Sequence, residues 1–248
     1  RSMSLAPETF ESLSLPAGFS LARDKQGRLC LIDSRKGAAG PLYVDFLAGA
    51  SGWRLRDLSR NDLLPRAVGF KSARPPRTLL DATAGLGHDA ASLALLGLDV
   101  TALEVSPVVF ALLQDGLARA RASGQELGRR IAERLTPLCA DARGFLRLSA
   151  AGRGSIPDVV YLDPMFPDKR KAARSRKEMQ HLQALLPPPN AAELSELMQL
   201  ALAVAAQRVV VKRPLHAPEI VDNPPPSHSH WGKSVRFDVY LVTSAHPR

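Results

Sequence analysis

The sequence predicts an α/β fold: a mainly parallel sheet covered by helices on both faces, with a small α+β subdomain before it. Three observations carry this. From about residue 76, short apolar runs alternate with amphipathic stretches of helical length, the pattern of strand–helix–strand units. The apolar runs are nearly unbroken, as strands buried on both faces require. Residues 1–75 lack the alternation and show short strand-like pieces between Gly-rich turns. We therefore expect a small N-terminal subdomain over 1–75 and the sheet domain over 76–248.

In the first part, 29–32 and 43–46 read as short strands and 62–70 as a short helix, and Arg74-Pro75-Pro76-Arg77 closes the segment. Residues 78–82 then give the first strand of the sheet. A helix over 89–96 follows, ended by Gly97. The second strand is 100–105. The helix 107–122 begins with Pro107, whose fixed φ suits a first turn. A further helix over 125–134, a short third strand at 138–139, a helix over 141–148 and a strongly apolar fourth strand over 158–162 complete the pattern. Two helices are expected over 177–185 and 191–206, separated by Pro187-Pro188-Pro189. The fifth strand is 209–211, and after a loop rich in Pro, His and Ser a last strand runs over 237–242.

Composition narrows the class. Of 248 residues 45% are hydrophobic, too many for a disordered chain. No apolar run approaches the roughly 18 residues that span a bilayer. The N-terminus shows no basic stretch leading into an apolar run, so a cytosolic, membrane-free protein is expected. Lys and Arg number 33 against 24 Asp and Glu, a formal net charge of +9. That surplus suits a polyanionic partner, although it also suits simple solubility. Cys30 and Cys139 form no metal-ligand pattern, and His228 and His230 have no Cys or acid at ligand spacing, so no metal is expected.

In sheets of this kind ligands bind beyond the carboxyl ends of the strands. Strand one runs into Asp81-Ala82-Thr83-Ala84-Gly85-Leu86-Gly87-His88-Asp89. Its glycines permit a tight turn and a close backbone approach, and the helix that follows offers free N–H groups. Gly85-x-Gly87-x-x-Ala90 fits the dinucleotide fingerprint of Rossmann-like domains, but such a match also describes a ligand-free turn. Strand two ends in Glu104, 23 residues beyond Asp81, where a carboxylate accepts from both hydroxyls of a ribose. Strand three leads into Asp141-Ala142, and Asp141 either receives an adenine amine or caps the next helix.

Strand four ends in Tyr161-Leu162-Asp163-Pro164-Met165-Phe166-Pro167. An acid followed by a rigid turn and an aromatic suits a planar amine: Asp163 accepts from an –NH2, Pro164 stiffens the turn, and Phe166 stacks on the base for about 1–3 kcal/mol. Asp163, Pro164 and Phe166 are thus the candidate catalytic residues. The basic run that follows, Lys169, Arg170, Lys171 and Arg174, is the candidate phosphate contact, joined by Lys212 and Arg213 at the end of strand five. A solvated charged face accounts for the same run.

The motifs from Asp81 to Asp89, Tyr161 to Pro167 and Val209 to Pro214 resemble the bacterial ribosomal RNA small subunit methyltransferase J family. So do Tyr43-Val44-Asp45-Phe46, the helix from Pro107 to Arg119, and Arg236-Phe237-Asp238-Val239-Tyr240. Met165 stands where general amino-methyltransferases usually carry a second proline. The resemblance implies a Rossmann-like class I S-adenosylmethionine-dependent methyltransferase sheet. It implies methyl transfer to the exocyclic 2-amino group of a guanosine in small-subunit (16S) ribosomal RNA, free or in the 30S subunit. It places cofactor contacts at His88, Asp89, Glu104, Val105, Asp141, Ala142 and Asp163, and Asp81, Ala84, Gly85 and Gly87 of the glycine turn join them as candidate cofactor-binding residues. His88 stands where the family more often has Arg, and Val105 where Arg often follows the acid. The residues alone leave room for an adenine-N6 or transfer-RNA guanine-N2 methyltransferase, for an NAD-dependent oxidoreductase on the same glycine turn, and for a noncatalytic RNA-binding module.

Overall fold

A seven-stranded sheet in the order β5-β4-β3-β6-β7-β9-β8 organises the chain. The computed structural model describes residues 13–35, 40–164, 185 and 189–242. Its strands are β3 (Thr78–Asp81), β4 (Asp99–Glu104), β5 (Leu135–Cys139), β6 (Val159–Leu162), β7 (Arg208–Pro214), β8 (His228–Trp231) and β9 (Val235–Leu241), and a separate hairpin pairs β1 (Phe19–Arg23) with β2 (Leu29–Asp33). Pairing is parallel from β5 through β7; β9 is antiparallel to both β7 and β8. The parallel strands turn all their carboxyl ends to one edge, which begins at the ends of β3 and β6 in the centre.

The helices are α1 (Gly49–Arg56), α2 (Leu63–Val68), α3 (His88–Leu95), α4 (Pro107–Ala122), α5 (Glu126–Arg134), α6 (Ala142–Ala150) and α7 (Ala191–Val204). They divide over the two faces. One hydrophobic cluster joins α2, α3, α4 and α5 with Val159, Tyr161, Val210, Phe237 and Val239 of the sheet. It also takes in Phe19, Leu29, Leu31, Val44 and Phe46, so the N-terminal elements share this core. The second cluster packs α6 and α7 against Leu80, Leu103, Val160, Leu162, Val209 and Val211. Helix α4 starts where its sequence says: Ser106 accepts from the Val109 N–H, and Pro107 occupies the first turn.

Several elements differ from the sequence expectation. Residues 43–46 are not a strand. Only Leu42 bridges Leu31; Val44 and Phe46 are pulled fully into the core, and Asp45 accepts from the Leu47 and Ala48 N–H groups to turn the chain into α1. The His/Ser part of the expected loop is instead the edge strand β8. β5 begins at Leu135, three residues before the expected start. Hairpin strand β1 and helix α1 were not anticipated. The helix expected over 177–185 lies outside the described residues but for Leu185. Among the described residues no helix is long and apolar enough to cross a membrane.

One buried carboxylate fastens the hairpin to the sheet domain. Asp115 on α4 accepts from the Leu29 N–H (3.1 Å), from Arg23 (2.8 Å) and from Arg119 (2.8 Å). Arg119 also donates to the Val44 carbonyl. Burial pushes the Asp115 carboxyl up, but the bonds from Arg119 and Arg23 outweigh it and hold it below the usual range. Removing one partner of a buried, hydrogen-bonded charge pair costs roughly 3 kcal/mol. Asp115→Ala should therefore lower the urea midpoint by about that much stability and strip the Leu29 amide of hydrogen-exchange protection. A native midpoint with an unchanged Leu29 amide would show that the hairpin is held by apolar packing alone. Because the folded carboxyl is depressed, its contribution is complete above the unfolded pKa and fades as pH falls through the folded value.

Candidate active site at the carboxyl edge of the sheet

The turn after β3 is shaped by two glycines in the left-handed region. Gly85 has φ +54° and Gly87 φ +75°. A Cβ on Gly87 would also meet Leu113 Cδ1 at 2.5 Å, whereas one on Gly85 would enter open space. The turn is fixed from below by the Gly87 N–H on the Ala84 carbonyl and the Ala84 N–H on the Leu103 carbonyl. Glu104, buried at the end of β4, fixes it from the side: Oε2 accepts from the Gly85 N–H at 3.0 Å and Oε1 from the Ser106 N–H at 2.7 Å. Burial raises the Glu104 carboxyl against the pull of the Ser106, Gly85 and Val105 N–H groups. A carboxylate offers about four lone-pair sites, so capacity for a ligand remains. Val105, next along, is 55% exposed.

Around the ends of β3 and β6 three carboxylates meet one ammonium. Lys212 Nζ donates to Asp89 Oδ2 and to Asp163 Oδ2, each at 2.8 Å. The Tyr161 hydroxyl donates to the same Asp89 oxygen at 2.7 Å. The Asp163 N–H donates to Thr83 Oγ1 at 2.6 Å, which ties the turn after β6 to the glycine turn. Asp81 lies beneath, fully buried, accepting from the Thr83 N–H.

The electrostatics follow from this crowding. Burial lifts Asp81 well above the usual carboxylate range, and the neighbouring Asp89 and Asp163 add to it. Burial also acts on Asp89, but Lys212 and the Tyr161 hydroxyl overcome it and keep that carboxyl low. Asp163 is pushed up to about 6, by burial first and by repulsion from Asp89, with Lys212 opposing. Burial would depress Lys212, yet its two carboxylates raise it, so the ammonium stays charged.

The structure thus brings Asp81, Ala84, Gly85, Gly87, Asp89, Glu104, Asp163 and the buried Pro164 to one edge. Two expectations need correction. Lys212 is no phosphate contact, because its charge is shared between Asp89 and Asp163. Arg213 is 3% exposed, with Nη2 on the Pro218 carbonyl and Asp238 nearby, and it secures the loop after β7. Asp141 caps α6 through the Gly144 N–H at 3.0 Å, with Ala142 opening the helix. His88 turns toward the N-terminal elements, 3.3 Å from Ser51 Oγ and edge-on to Phe46. Phe166, Lys169, Arg170, Lys171 and Arg174 lie outside the described residues. Sequence reasoning passed over Thr83 and Tyr161, and gave Lys212 the wrong task; a lysine at a strand end facing two motif acids was the available signal.

S-adenosylmethionine fits the residues at this edge. The open side of Gly85 leaves room for a ligand against the backbone, and the Glu104 carboxylate beside it is an acceptor of the kind a ribose diol would need. Among the described residues no group of three or more His, Cys, Asp or Glu could hold a metal ion.

Comparison with known proteins supports the same fit. Residues 13–242 match the family model described as "Putative SAM-dependent methyltransferase". The ribosomal RNA small subunit methyltransferase J of Thioalkalivibrio sulfidiphilus is 46% identical over 206 residues, 83% of this chain and 78% of the relative. The protein of that name from Pseudomonas aeruginosa is 41% identical over 237 residues, 93% of this chain and 87% of the relative. The crystal structure of a SAM-dependent methyltransferase from Neisseria gonorrhoeae superimposes with a TM-score of 0.70 at 33% identity, covering 94% of this chain and 88% of that one. The chain therefore belongs to the ribosomal RNA small subunit methyltransferase J family of S-adenosylmethionine-dependent methyltransferases.

Proposed function

We propose that this protein transfers a methyl group from S-adenosylmethionine to the exocyclic 2-amino group of a guanosine in small-subunit ribosomal RNA. The observation that carries the proposal is Asp163. It is held by Lys212 at the end of β6 and bonded through its backbone to the glycine turn that cradles the cofactor. The relatives' names supply the class of RNA.

The 2-amino lone pair of guanine is delocalised into the ring and nucleophilically weak. When bound, the cofactor supplies an electrophilic methyl on a sulfonium. Glu104 and the Gly85 turn fix the ribose end, with exposed Val105 as an apolar surface for the adenine. Lys212 engages Asp163 Oδ2, leaving Oδ1 to accept an N–H of the guanine amine. That bond orients the lone pair toward the methyl and stabilises positive charge growing on nitrogen. Asp163 Oδ1 is also placed to take the amine proton as the N–C bond forms. Phe166 is assigned to base stacking, and Lys169, Arg170, Lys171 and Arg174 to phosphates, from the sequence alone.

Three outcomes follow. Glu104→Ala should weaken binding of S-adenosylhomocysteine at least tenfold in calorimetry, since charge-assisted bonds are worth about 1.5–3 kcal/mol each; unchanged affinity would remove Glu104 from the cofactor site. Asp163→Ala, assayed at saturating cofactor on small subunits from a strain lacking the enzyme, should lose something like 10²–10³-fold in turnover. Near-normal turnover there would put the catalytic centre elsewhere. Because the ionised Asp163 is the working form and its carboxyl lies near 6, turnover should rise through that pH and level off above it. Asp89→Asn removes a like charge and should move the inflection to lower pH; an inflection that stays put would mean another group is being titrated.

A further inference from the structure

A second polar site lies on the α2 face of the sheet, toward the amino end of β7. A shallow pocket there is lined by Arg66, Lys71, Ser72, Arg208, His228 and His230, with no acid among its walls. Arg208, the first residue of β7, is 8% exposed. Its Nη1 donates to the Ala67 carbonyl at 3.4 Å, and its guanidinium lies so close to Gly69 that a Cβ there would sit 2.6 Å from Cζ. Those contacts close the end of α2, but they leave Arg208 Nε buried without a hydrogen-bond partner. His230 Nε2 is buried and unpartnered in the same pocket, its ring edge-on to His228 at 5.3 Å.

The charges around these nitrogens are of one sign. Burial depresses His230, and His228, Arg66 and Arg208 all push it further down. Burial is also what depresses Arg208. Asp238 of the neighbouring strand alternates onto the opposite face of β9, where Arg236 and Ser229 bind it. Two buried unpaired nitrogens in a positive field, beside Arg66 and Lys71, are the donor set of an oxyanion with several acceptor oxygens.

We propose that this pocket binds a phosphate group, supplied in the working protein by the backbone of the RNA substrate at a nucleotide other than the one methylated. The RNA source rests on the function proposed above; the phosphate chemistry does not. Arg208 and Lys212 are four residues apart on β7, about 13 Å along the strand, a distance that a few nucleotides span. A phosphate held here would set the position of the RNA on the protein without reading its sequence.

The test uses the full chain and the double variant Arg66→Gln/Lys71→Gln, which touches no residue of the methyl-transfer site. The imidazole resonances of His228 and His230 are followed while inorganic phosphate, and separately a ribosomal RNA fragment, is added. Both ligands should move them in the wild-type protein. In the double variant, RNA affinity should fall about tenfold and the log–log salt slope should flatten by about 1.4 for two lost single-strand contacts, with S-adenosylhomocysteine affinity unchanged. Imidazoles that respond to neither ligand would overturn the pocket. Imidazoles that respond to inorganic phosphate alone, with a wild-type salt slope in the variant, would overturn the RNA assignment and leave a site for free phosphate. If the wild-type protein neither binds nor methylates ribosomal RNA, the proposed function fails, and the phosphate titration still decides the pocket.

Discussion

The carboxyl edge of the sheet gathers Asp81, Asp89 and Asp163 around the ammonium of Lys212, and much of the surrounding structure serves to keep that arrangement intact. Like charges this close cannot all ionise in a poorly solvated place. The arrangement resolves the conflict by position. Asp81 is fully buried and driven toward its neutral form. Asp89 holds its charge through Lys212 and Tyr161. Asp163, at the rim, is left near 6. Among the described residues of this cluster, with Asp81 neutral, two carboxylates stand against one ammonium and leave it net negative. A net negative edge complements a sulfonium cation, and the complement weakens once the methyl has left, because the thioether product is uncharged. The same balance therefore favours binding of the methyl donor over retention of its product.

That cluster also explains which parts of the site were readable in one dimension. The acids and glycines lie in short contiguous motifs, so Asp81, Gly85, Gly87, Glu104 and Asp163 stood out. The partner that organises them does not: Lys212 is 49 residues from Asp163 and 123 from Asp89. Read beside Arg213, it looked like one more surface cation. Only the pairing of β6 with β7 carries it alongside its acids. Asp141 shows the opposite case, because an acid just before a helix carries its capping role in local sequence.

The fold was legible to the extent that its elements are locally determined. Helix α4 matches its expected span because Ser106 and Pro107 start it regardless of tertiary context. Strand β8 has no such local mark: His228, Ser229, His230 and Trp231 become a strand only because β9 offers a free edge. The reverse error occurred at Tyr43 to Phe46, a strand-like piece in the sequence. There the alternating Val44 and Phe46 are anchors in the main core, and Asp45 spends its carboxylate turning the chain. Alternation reports which side chains go inward; it does not report whether a neighbouring backbone is there to pair.

A negative catalytic edge creates a difficulty for an enzyme that works on RNA, since the field that suits a sulfonium repels phosphates. At 2.8 Å from both acids, Lys212 has no charge to spare, and Arg213 is buried against Asp238. Among the described residues, attraction for the polyanion is then left to surfaces away from the reacting nitrogen, while short-range contacts bring one base to the edge. The chain's formal charge of +9 shows that the cations are available, and the pocket of Arg66, Lys71 and Arg208 holds three of them with no acid. Among the described residues, separation of affinity from chemistry is in this view a consequence of electrostatics: to pair with an RNA phosphate, Lys212 would have to leave Asp89 and Asp163.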